Sequence, residues 1–380
     1  MKQILFPGST IGMLGGGQLG RMFAFAAKRM GYQVITLDRT PHSPCGQVCD
    51  EQIVGDLDEQ EALLELGKKS DVITYEFEHI DVRCVEVLEE NGKIVRPSSR
   101  VLKITQNRLL EKEFIVHAGI KVADYEKVEN NTGLNLAIEK IGFPAVLKTV
   151  HGGYDGKGQF IVKDRPNAVK ALNQAKGHTL IWERKIPFVK ELSVMCVRDL
   201  EGNVVSYPTA ENIHIDNILD TTIVPARVPK KVEKQAKEIA ENIAVNLDIV
   251  GAFCVEMFLL TDNSILVNEI APRPHNSGHY TMDACATSQF EQQLRAITGL
   301  PLGSSALHSN AVMMNILGDG KGNHLIGVDK ILADPRIHFH LYGKKEAKAK
   351  RKMGHFTVLE NDVDEALKVA FAARKKLKWQ

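Results

Sequence analysis

Apolar and polar residues alternate with two different periods in the first hundred residues. Short apolar runs such as TIGML, QVITL and DVITY have the length and β-branched content of buried strands. Between them lie amphipathic segments such as QLGRMFAFAAKRM, whose apolar residues recur every three to four positions. Strands alternating with helices predict a parallel sheet with crossover helices, hence an α/β domain over residues 1–105. A further helix is predicted from about Ser99 to Ala118.

The pattern changes near residue 120. Short strands such as FPAVLKTV and ELSVMCVRD are joined by glycine turns, and one long polar helix, VEKQAKEIAENIAVNL, follows them. After the linker GLPLGS come three more strands and a helix with acidic residues in its first turn and basic ones in its last. The pattern predicts a mixed α/β and α+β chain in three domains, 1–105, 106–300 and 301–380.

One predicted hairpin, VEMFLLTDNSILVNEI, carries two glutamates among apolar residues. A two-residue turn at Asp262 and Asn263 would place Glu256 opposite Glu269, roughly 5 Å away across the strand pair. Opposed carboxylates repel, so the pair predicts a cation, and oxygen ligands suit Mg²⁺. The alternative is a surface hairpin with both glutamates in water. A loop with an odd number of residues would break the register.

Composition excludes several classes of protein. The 48 Lys and Arg residues nearly cancel the 47 Asp and Glu residues, so no overall field favours nucleic acid or an anionic membrane. No apolar run approaches the roughly 20 residues of a membrane span, and Pro7 and the glycines after it argue against a signal peptide. Six scattered cysteines are typical of reduced thiols, so we expect a cytoplasmic protein.

A glycine motif follows the first strand. Gly15, Gly17 and Gly20 match the dinucleotide-binding fingerprint, and Asp38 ends the next strand where an acidic residue would hold a ribose. Taken alone, the motif would indicate an NAD-dependent enzyme. Free N–H groups at a helix start also hold other phosphates, and a tight turn without a ligand uses the same glycines.

A second glycine loop, HGGYDGKG, follows Lys148. Its backbone can fold over phosphates, with Lys148 and Lys157 neutralising their charge; an unliganded glycine hairpin is the alternative. Glu183 and Glu191 lie at strand ends, where a carboxylate can accept hydrogen bonds from a ribose or an amine, although each alone is more often a surface acid.

The segment after Glu269 concentrates polar chemistry. Arg273, between two prolines, can bind a carboxylate or phosphate through two hydrogen bonds, and His275 can move a proton near neutral pH. A zinc pair of His275 with His279 would need a helix, which Pro274 and Gly278 disfavour. The basic run from Lys344 to Lys352 predicts either a solvated loop or one that closes over an anion.

Together these residues resemble the ATP-grasp enzymes. Lys148, HGGYDGKGQ, the ERKI segment, Glu191 and the Glu256/Glu269 pair occur there in the same order. IGMLGGGQLGRM, YEFEH, NEIAPRPHNSGH and YGKKEAKAKRKMGH are similar, over essentially the whole chain, to the family that carboxylates 5-aminoimidazole ribonucleotide. The resemblance implies an ATP-grasp fold with a Rossmann-like N-terminal domain, a central ATP-grasp domain with a lid over about 120–185, a small C-terminal domain, and a homodimer.

The resemblance also implies the reaction. An ATP-dependent ligase of this kind uses Mg²⁺, ATP and bicarbonate to carboxylate 5-aminoimidazole ribonucleotide through carboxyphosphate, and releases ADP and phosphate in de novo purine biosynthesis. Three other functions remain open. They are another ATP-grasp ligase that joins a carboxylate to an amine through an acylphosphate, an NAD oxidoreductase, and an ATP-binding sensor without catalysis.

The resemblance assigns roles to positions of this sequence. Mg²⁺ would be held by Glu256 and Glu269; Ala271 stands where many such enzymes have Asn, so a second Mg²⁺ would lack one usual ligand. Catalysis would involve Arg273, His275, Asn276, Lys345 and Arg351. The aminoimidazole ribonucleotide would contact Glu76, His79, Tyr154, Asp155 and Lys344. ATP would contact Arg108, Lys148, Gly153, Tyr154, Asp155, Gly156, Lys157, Gly158, Gln159, Glu183, Arg184, Lys185, Ile186, Glu191, His214, Asn268 and Glu269.

Overall fold

The N-terminal region forms a parallel four-stranded sheet, as the alternating pattern predicts. The computed structural model describes residues 4–153, 158–175 and 177–380. The sheet has the strand order β3-β2-β1-β4, and buried apolar residues of each strand pack against the flanking helices. Its elements are β1 (Thr10–Leu14), α1 (Gln18–Arg29), β2 (Gln33–Leu37), β3 (Glu51–Ile53), α2 (Gln60–Lys69), β4 (Val72–Tyr75) and α3 (Val82–Glu90).

The predicted helix from Ser99 to Ala118 is two helices, α4 (Ser99–Gln106) and α5 (Arg108–His117). The break is at Asn107, whose side chain accepts hydrogen bonds from the N–H groups of Leu109 and Leu110 and so caps α5. The backbone N–H of Arg108 then donates to the carbonyl of Val150 at 3.0 Å. This break therefore fixes Arg108 beside the end of a strand in the next region.

A small antiparallel sheet with the order β5-β8-β6-β7 follows. Two helices cover one face of it and enclose a core around the buried Trp182 and Leu147. Strand β8 lies between β5 and β6, so the residues at its end are fixed on both sides. The elements are β5 (Tyr125–Val128), α6 (Asn131–Ile141), β6 (Ala145–Thr149), β7 (Gln159–Val162), α7 (Arg165–Gln174) and β8 (Leu180–Arg184).

The largest sheet has nine strands, in the order β14-β13-β9-β11-β12-β15-β18-β17, with β10 paired to β9. The C-terminal strands continue this sheet through the pairing of β12 with β15. Its first elements are β9 (Lys190–Arg198), β10 (Val204–Ser206), β11 (Ala210–Ile215), β12 (Ile218–Val224), α8 (Lys230–Leu247), β13 (Gly251–Leu259) and β14 (Ile265–Ala271). There follow a 3₁₀ turn (Asn276–Gly278), α9 (Thr281–Ala284), α10 (Gln289–Thr298), β15 (Ala311–Leu317), β16 (Leu325–Ile326), α11 (Val328–Leu332), β17 (Ile337–Leu341), β18 (Lys352–Leu359), α12 (Val363–Arg374) and β19 (Lys378–Trp379).

Helix α8 and the edge of α5 bury the apolar face of β9, β13 and β14. On the opposite face, α10 packs against the Gly251 end of β13. Glu256 and Phe258, farther along β13, line a cleft between the two sheets. Within the described ranges, no helix combines the length and apolar character needed to cross a membrane.

Candidate active site

A cavity of about 640 Å³ lies where the small sheet, the large sheet and the N-terminal domain meet. Most of the residues that the sequence assigns to the site line it, although they come from distant parts of the chain. They are Glu76, His79, Arg108, Lys148, Gly153, Gln159, Glu183, Arg184, Lys185, Ile186, Glu191, His214, Glu256, Asn268, Glu269, Arg273, His275 and Asn276. Tyr154, Asp155, Gly156 and Lys157 lie outside the described residues.

The acidic hairpin pairs Glu256 with Glu269, as predicted, but by a different route. The turn is not the predicted two-residue turn: Leu260 and Ser264 close a three-residue loop, with Asn263 in the left-handed conformation. An odd loop alone would place Glu256 opposite Asn268. A β-bulge next to Glu256 restores the pairing by inserting Asn268 as one extra residue. Consequently Glu256, Asn268 and Glu269 all line the cavity.

These three residues provide oxygen atoms that fit a hard divalent cation. The carboxylate of Glu256 accepts from His275 Nε2 at 2.9 Å, and that of Glu269 is 2.9 Å from Arg108 Nη1. Burial would raise the pKa of Glu256, but His275, His214 and Arg273 outweigh it and lower the pKa to about 2. The buried Oδ1 of Asn268 has no hydrogen-bond partner within the described part of the chain. An unpaired amide oxygen beside two carboxylates suits Mg²⁺.

A cationic cluster faces the hairpin. Lys148 Nζ is 2.8 Å from one oxygen of Glu183, and Lys112 Nζ is 3.6 Å from the other. Burial lowers the pKa of Lys148, and the nearby positive charges of Arg108 and Lys112 lower it further. Glu183 opposes this lowering only in part. Burial would raise the pKa of Glu183, but Lys112, Lys148 and Arg108 outweigh this effect and lower the pKa to about 2. Because three cations surround one carboxylate, the cluster keeps an excess of positive charge that suits phosphates.

The Glu183→Gln variant is expected to be less stable at neutral pH by on the order of 3 kcal/mol. The pKa of Glu183 is lowered from 4.5 to about 2 on folding, so its contribution is present above pH 4.5 and is lost as the pH falls toward 2. Urea unfolding at several pH values between 7 and 2 should therefore give a shallower acid slope for the variant. Glu129→Gln, which removes an exposed ion pair with Lys127, is the control and should change stability by less than about 0.5 kcal/mol. Equal acid slopes for wild type and Glu183→Gln would contradict the pairing.

Arg273 uses its two-hydrogen-bond geometry on a residue that the sequence analysis did not single out. Both its Nε and its Nη2 donate to the carboxylate of Glu78, the latter at 2.8 Å. Despite burial, which favours the neutral acid, Arg273 lowers the pKa of Glu78 to about 2. The signal was present in YEFEH, since Glu76 and Glu78 alternate and both line the cavity. The sequence predicted that Arg273 binds a carboxylate or phosphate through two hydrogen bonds, and in the structure this carboxylate is the side chain of Glu78.

Next to Arg273, an amide pair fixes Asn276. Asn276 Nδ2 donates to Asn315 Oδ1 at 3.0 Å, and Asn315 Nδ2 donates to Asn276 Oδ1 at 2.7 Å and to the carbonyl of Leu219 at 2.7 Å. Asn315 is a polar residue in the middle of the apolar run NAVMMNIL, and this contrast is the sequence signal that could have identified it.

His275 lies beside this pair. Its Nδ1 contacts Ser277 Oγ at 2.9 Å. Burial lowers the pKa of His275, but Cys254 and Glu256 raise it to about 10.

The glycine turn at the start of α1 is occupied by the protein's own carboxylates. The backbone N–H of Gly20 donates to one carboxylate oxygen of Glu76 at 2.8 Å, and the N–H of Gly17 donates to the other oxygen. The N–H of Gly16 donates to the carboxylate of Asp38 at 2.8 Å. Burial, opposed by these N–H groups, raises the pKa of Glu76. The structure therefore corrects two sequence readings: Asp38 binds the turn and is not held out toward a ribose, and Glu76 is the anion at the helix start.

Aromatic side chains form the wall of the cavity near the segment Glu183 to Ile186. Phe188 and Phe258 stack with ring centroids 4.7 Å apart, and both line the cavity close to the segment Glu183 to Ile186. A carboxylate oxygen of Glu191 is 2.7 Å from His214 Nδ1. Burial would lower the pKa of His214, but Glu191 and Glu256 outweigh this effect and raise it. An aromatic wall beside a polar pair suits an adenosine.

The C-terminal basic run reaches the cavity only in part. Lys352 lines it, and Lys344 Nζ donates to the backbone carbonyl of Lys352 at 2.7 Å. Lys345 and Arg351 are exposed, and neither lines the cavity. Gly158 does not line the cavity either. The structure thus places none of Gly158, Lys344, Lys345 and Arg351 on the cavity wall, and their predicted roles remain predictions.

The chain matches three family models that follow one another along the sequence. Residues 8–106 match the ribonucleotide synthetase preATP-grasp domain, 113–290 the ATP-grasp domain, and 311–369 the phosphoribosylaminoimidazole carboxylase C-terminal domain. The N5-carboxyaminoimidazole ribonucleotide synthase of Bacillus subtilis is 46% identical over 368 residues, which cover 96% of this chain and 95% of the relative. The chain belongs to the N5-carboxyaminoimidazole ribonucleotide synthase family.

Solved structures of this family have the same fold. The Thermotoga maritima synthetase has a TM-score of 0.89 at 46% identity and covers 97% of this chain and 99% of its own. The Aspergillus clavatus synthase, solved with ADP and 5-aminoimidazole ribonucleotide, has a TM-score of 0.91 at 35% identity and covers 98% of this chain and 99% of its own. The predicted ATP-grasp fold and the assignment of the chain as an ATP-dependent ligase are confirmed.

Proposed function

We propose that this chain carboxylates 5-aminoimidazole ribonucleotide with bicarbonate at the cost of one ATP, and releases ADP and phosphate. The observation that carries the proposal is the single cavity in which the Lys148 cluster, the acidic hairpin and Arg273 meet. It occurs in a chain that aligns over 96% of its length with a synthase of this name. A homodimer, a cytoplasmic location and the domain limits stay predictions from the sequence.

The residues support a division of the cavity into two ends. Phe188, Phe258 and Glu191 would hold adenosine. Arg108 and Lys148 would hold the phosphates, and the buried Lys112 would add positive charge behind Glu183. Glu256, Glu269 and Asn268 would hold Mg²⁺, which when bound neutralises charge on the phosphates. Arg273, His275 and Asn276 would bind bicarbonate at the other end, within reach of Glu76 and His79 for the aminoimidazole ribonucleotide.

The reaction can be written in two balanced steps. A bicarbonate oxygen attacks the γ-phosphorus, the bond to the ADP oxygen breaks, and carboxyphosphate forms. The exocyclic amine of the aminoimidazole then attacks the carboxyl carbon, a C–N bond forms, phosphate leaves, and the amine gives up a proton. Charge develops on oxygen in both steps, so donors fixed before the reaction, such as the guanidinium of Arg273 and the Nε2–H of His275, stabilise it most effectively.

Positioning and the exclusion of water matter as much as charge. Carboxyphosphate is hydrolysed by water, so ordered walls around the bicarbonate end protect the intermediate. The pairs Arg273–Glu78 and Asn276–Asn315 fix this end before any substrate arrives. We infer that they hold the donors in place without reorganisation during the reaction.

The test is ADP release from Mg-ATP, measured with each of the two other substrates omitted in turn. We expect release to require both bicarbonate and 5-aminoimidazole ribonucleotide, with stimulation of at least about a hundredfold when both are present. Nuclear magnetic resonance with ¹³C-bicarbonate should detect label on the exocyclic nitrogen of the product. ADP release that ignores the aminoimidazole ribonucleotide but follows another amine would instead favour an acylphosphate-forming ligase.

A further inference from the structure

A histidine cluster lies on the C-terminal part of the large sheet, outside the catalytic cavity. His340 on β17 and His355 on β18 are paired across the strands, and their rings stack with centroids 4.5 Å apart. Helix α9 packs over this face and brings the carboxylate of Asp283 to within 3.0 and 3.1 Å of His340 Nε2. None of these three residues lines the cavity described above. The proposed reaction therefore leaves the cluster without a role.

The donor atoms of the cluster are spaced for a metal ion. One ligand atom each from Asp283, His340 and His355 lies within 4.8 Å of the other two. A fourth donor is near, since His338 Nδ1 is 3.8 Å from Asp283 Oδ1. His338 and His340 alternate on one face of β17, on either side of this carboxylate. Small side-chain rotations would bring the atoms to the roughly 2 Å metal–ligand distances that Zn²⁺ requires.

The orphaned nitrogen of His355 points to a ligand independently. Its ring is fully buried, and its Nδ1 is occupied by the hydroxyl of Tyr342 at 2.8 Å. Its Nε2 has no hydrogen-bond partner in any of the described segments. A buried ring nitrogen without a partner is costly. A hydrogen bond at one ring nitrogen, with the other nitrogen left open, is the arrangement by which proteins orient a metal-binding histidine.

Access and ligand type define the metal. The side chains of His338 and His340 are 42% and 26% exposed, so an ion can enter from solvent while His355 closes the inner side. Imidazole nitrogens favour Zn²⁺ and related transition metals, whereas the oxygen ligands around Glu256 favour Mg²⁺. We propose that Asp283, His340 and His355, with His338 as a fourth ligand, form a second cation site that takes a Zn²⁺-type transition metal.

A bound ion here would join β17 and β18 to α9. This helix follows the 3₁₀ turn that carries Asn276, and the strand partner of His355 on its other side is Asn315. The metal would thus tie the C-terminal strands to the segment that forms the bicarbonate end of the cavity. We expect its main effect to be on stability, because ligands that bind only the folded state stabilise it.

The test uses the full-length protein, stripped of metal by a chelator and kept in excess Mg²⁺ so that the oxygen site is filled. Titration with Co²⁺ should give a visible absorption band typical of nitrogen ligation. The band should saturate at one equivalent, and Zn²⁺ should displace the Co²⁺. The variants His340→Ala and Asp283→Asn should weaken binding by at least about a hundredfold, while His324→Ala, at an exposed histidine elsewhere, should leave it unchanged.

Crystals of the wild-type protein soaked in Zn²⁺ give a second measurement that needs no variant to fold. An anomalous peak within bonding distance of His340 and His355 supports the site. The proposal is overturned by a peak confined to Glu256 and Glu269, by absence of a saturable Co²⁺ band, or by unchanged affinity in folded His340→Ala.

Discussion

Replacing Glu269 by alanine should lower turnover at least about a thousandfold while the protein remains folded. Glu269 is one of two carboxylates that the bulged hairpin presents to the cavity, and without it the cation would keep only Glu256 and the amide oxygen of Asn268. The side chain of Glu269 is 37% exposed, so its removal leaves no large void in the core. Steady-state ADP release at saturating substrates measures the loss.

The variant also frees Arg108, which pairs with Glu269 at 2.9 Å, so binding must be measured separately from turnover. Electron paramagnetic resonance of Mn²⁺, used in place of Mg²⁺, should show affinity reduced by about a hundredfold or more. Asp262→Asn is the matched control: it removes a carboxylate charge from the loop of the same hairpin but keeps the oxygen that accepts from Ser264. Wild-type turnover in Glu269→Ala would rule out the hairpin as the metal site.

The hairpin illustrates how far local sequence rules carry. Alternation correctly predicted two strands, and the opposition of Glu256 and Glu269 was predicted correctly, although from the wrong turn. The turn was predicted wrongly, because Asn263 adopts the left-handed conformation that asparagine tolerates and lengthens the loop by one residue. The bulge at Asn268 compensates for this extra residue. Two departures from the simple register cancel, and neither has a signature in the sequence strong enough to predict it.

Sequence patterns did not identify the residues whose contact partners are far away in the sequence. Lys112 on α5 reaches Glu183 on β8, Glu78 reaches Arg273, and Asn315 reaches Asn276 from the C-terminal strands. Lys112 and Asn315 are buried and Glu78 is half-buried. Each has a partner more than 35 positions away, so no local period or spacing points to it. Family resemblance predicted most of the residues that line the cavity. The residues that hold these in place become visible only once the sheets are assembled.

The C-terminal basic run is the part of the site for which prediction and structure agree least. Its charge pattern predicted contact with an anion, yet Lys350 pairs with Asp216 at 3.0 Å and Arg351 Nη1 donates to the carbonyl of Glu346 at 3.1 Å. A run of like charges does not indicate which members turn inward, because the loop geometry decides this. Lys352, at the start of β18, is the member that the strand directs to the cavity.

Replacing Arg273 by lysine should lower kcat about a hundredfold with less than about a threefold change in KM for ATP. Lysine keeps the positive charge but offers a single donor point, so it cannot hold both oxygens of Glu78 and present a further N–H to the cavity. In the proposed arrangement ATP binds at the opposite end of the cavity, so its KM serves as an internal reference. Arg336→Lys, which breaks a similar two-bond contact with Asp334 far from the cavity, should leave both constants unchanged.

A double-mutant cycle with Glu78→Gln separates two roles of this pair. If Glu78 only orients Arg273, its substitution matters little once Arg273 is lysine, and the combined loss should be smaller than the sum of the single losses by at least about 1 kcal/mol. If Glu78 contacts substrate by itself, the two losses in activation free energy should add. The pair contact favours the first result, since both carboxylate oxygens of Glu78 accept hydrogen bonds from Arg273. Additive losses together with a raised KM for 5-aminoimidazole ribonucleotide in Glu78→Gln would assign Glu78 to substrate binding and would reverse this interpretation.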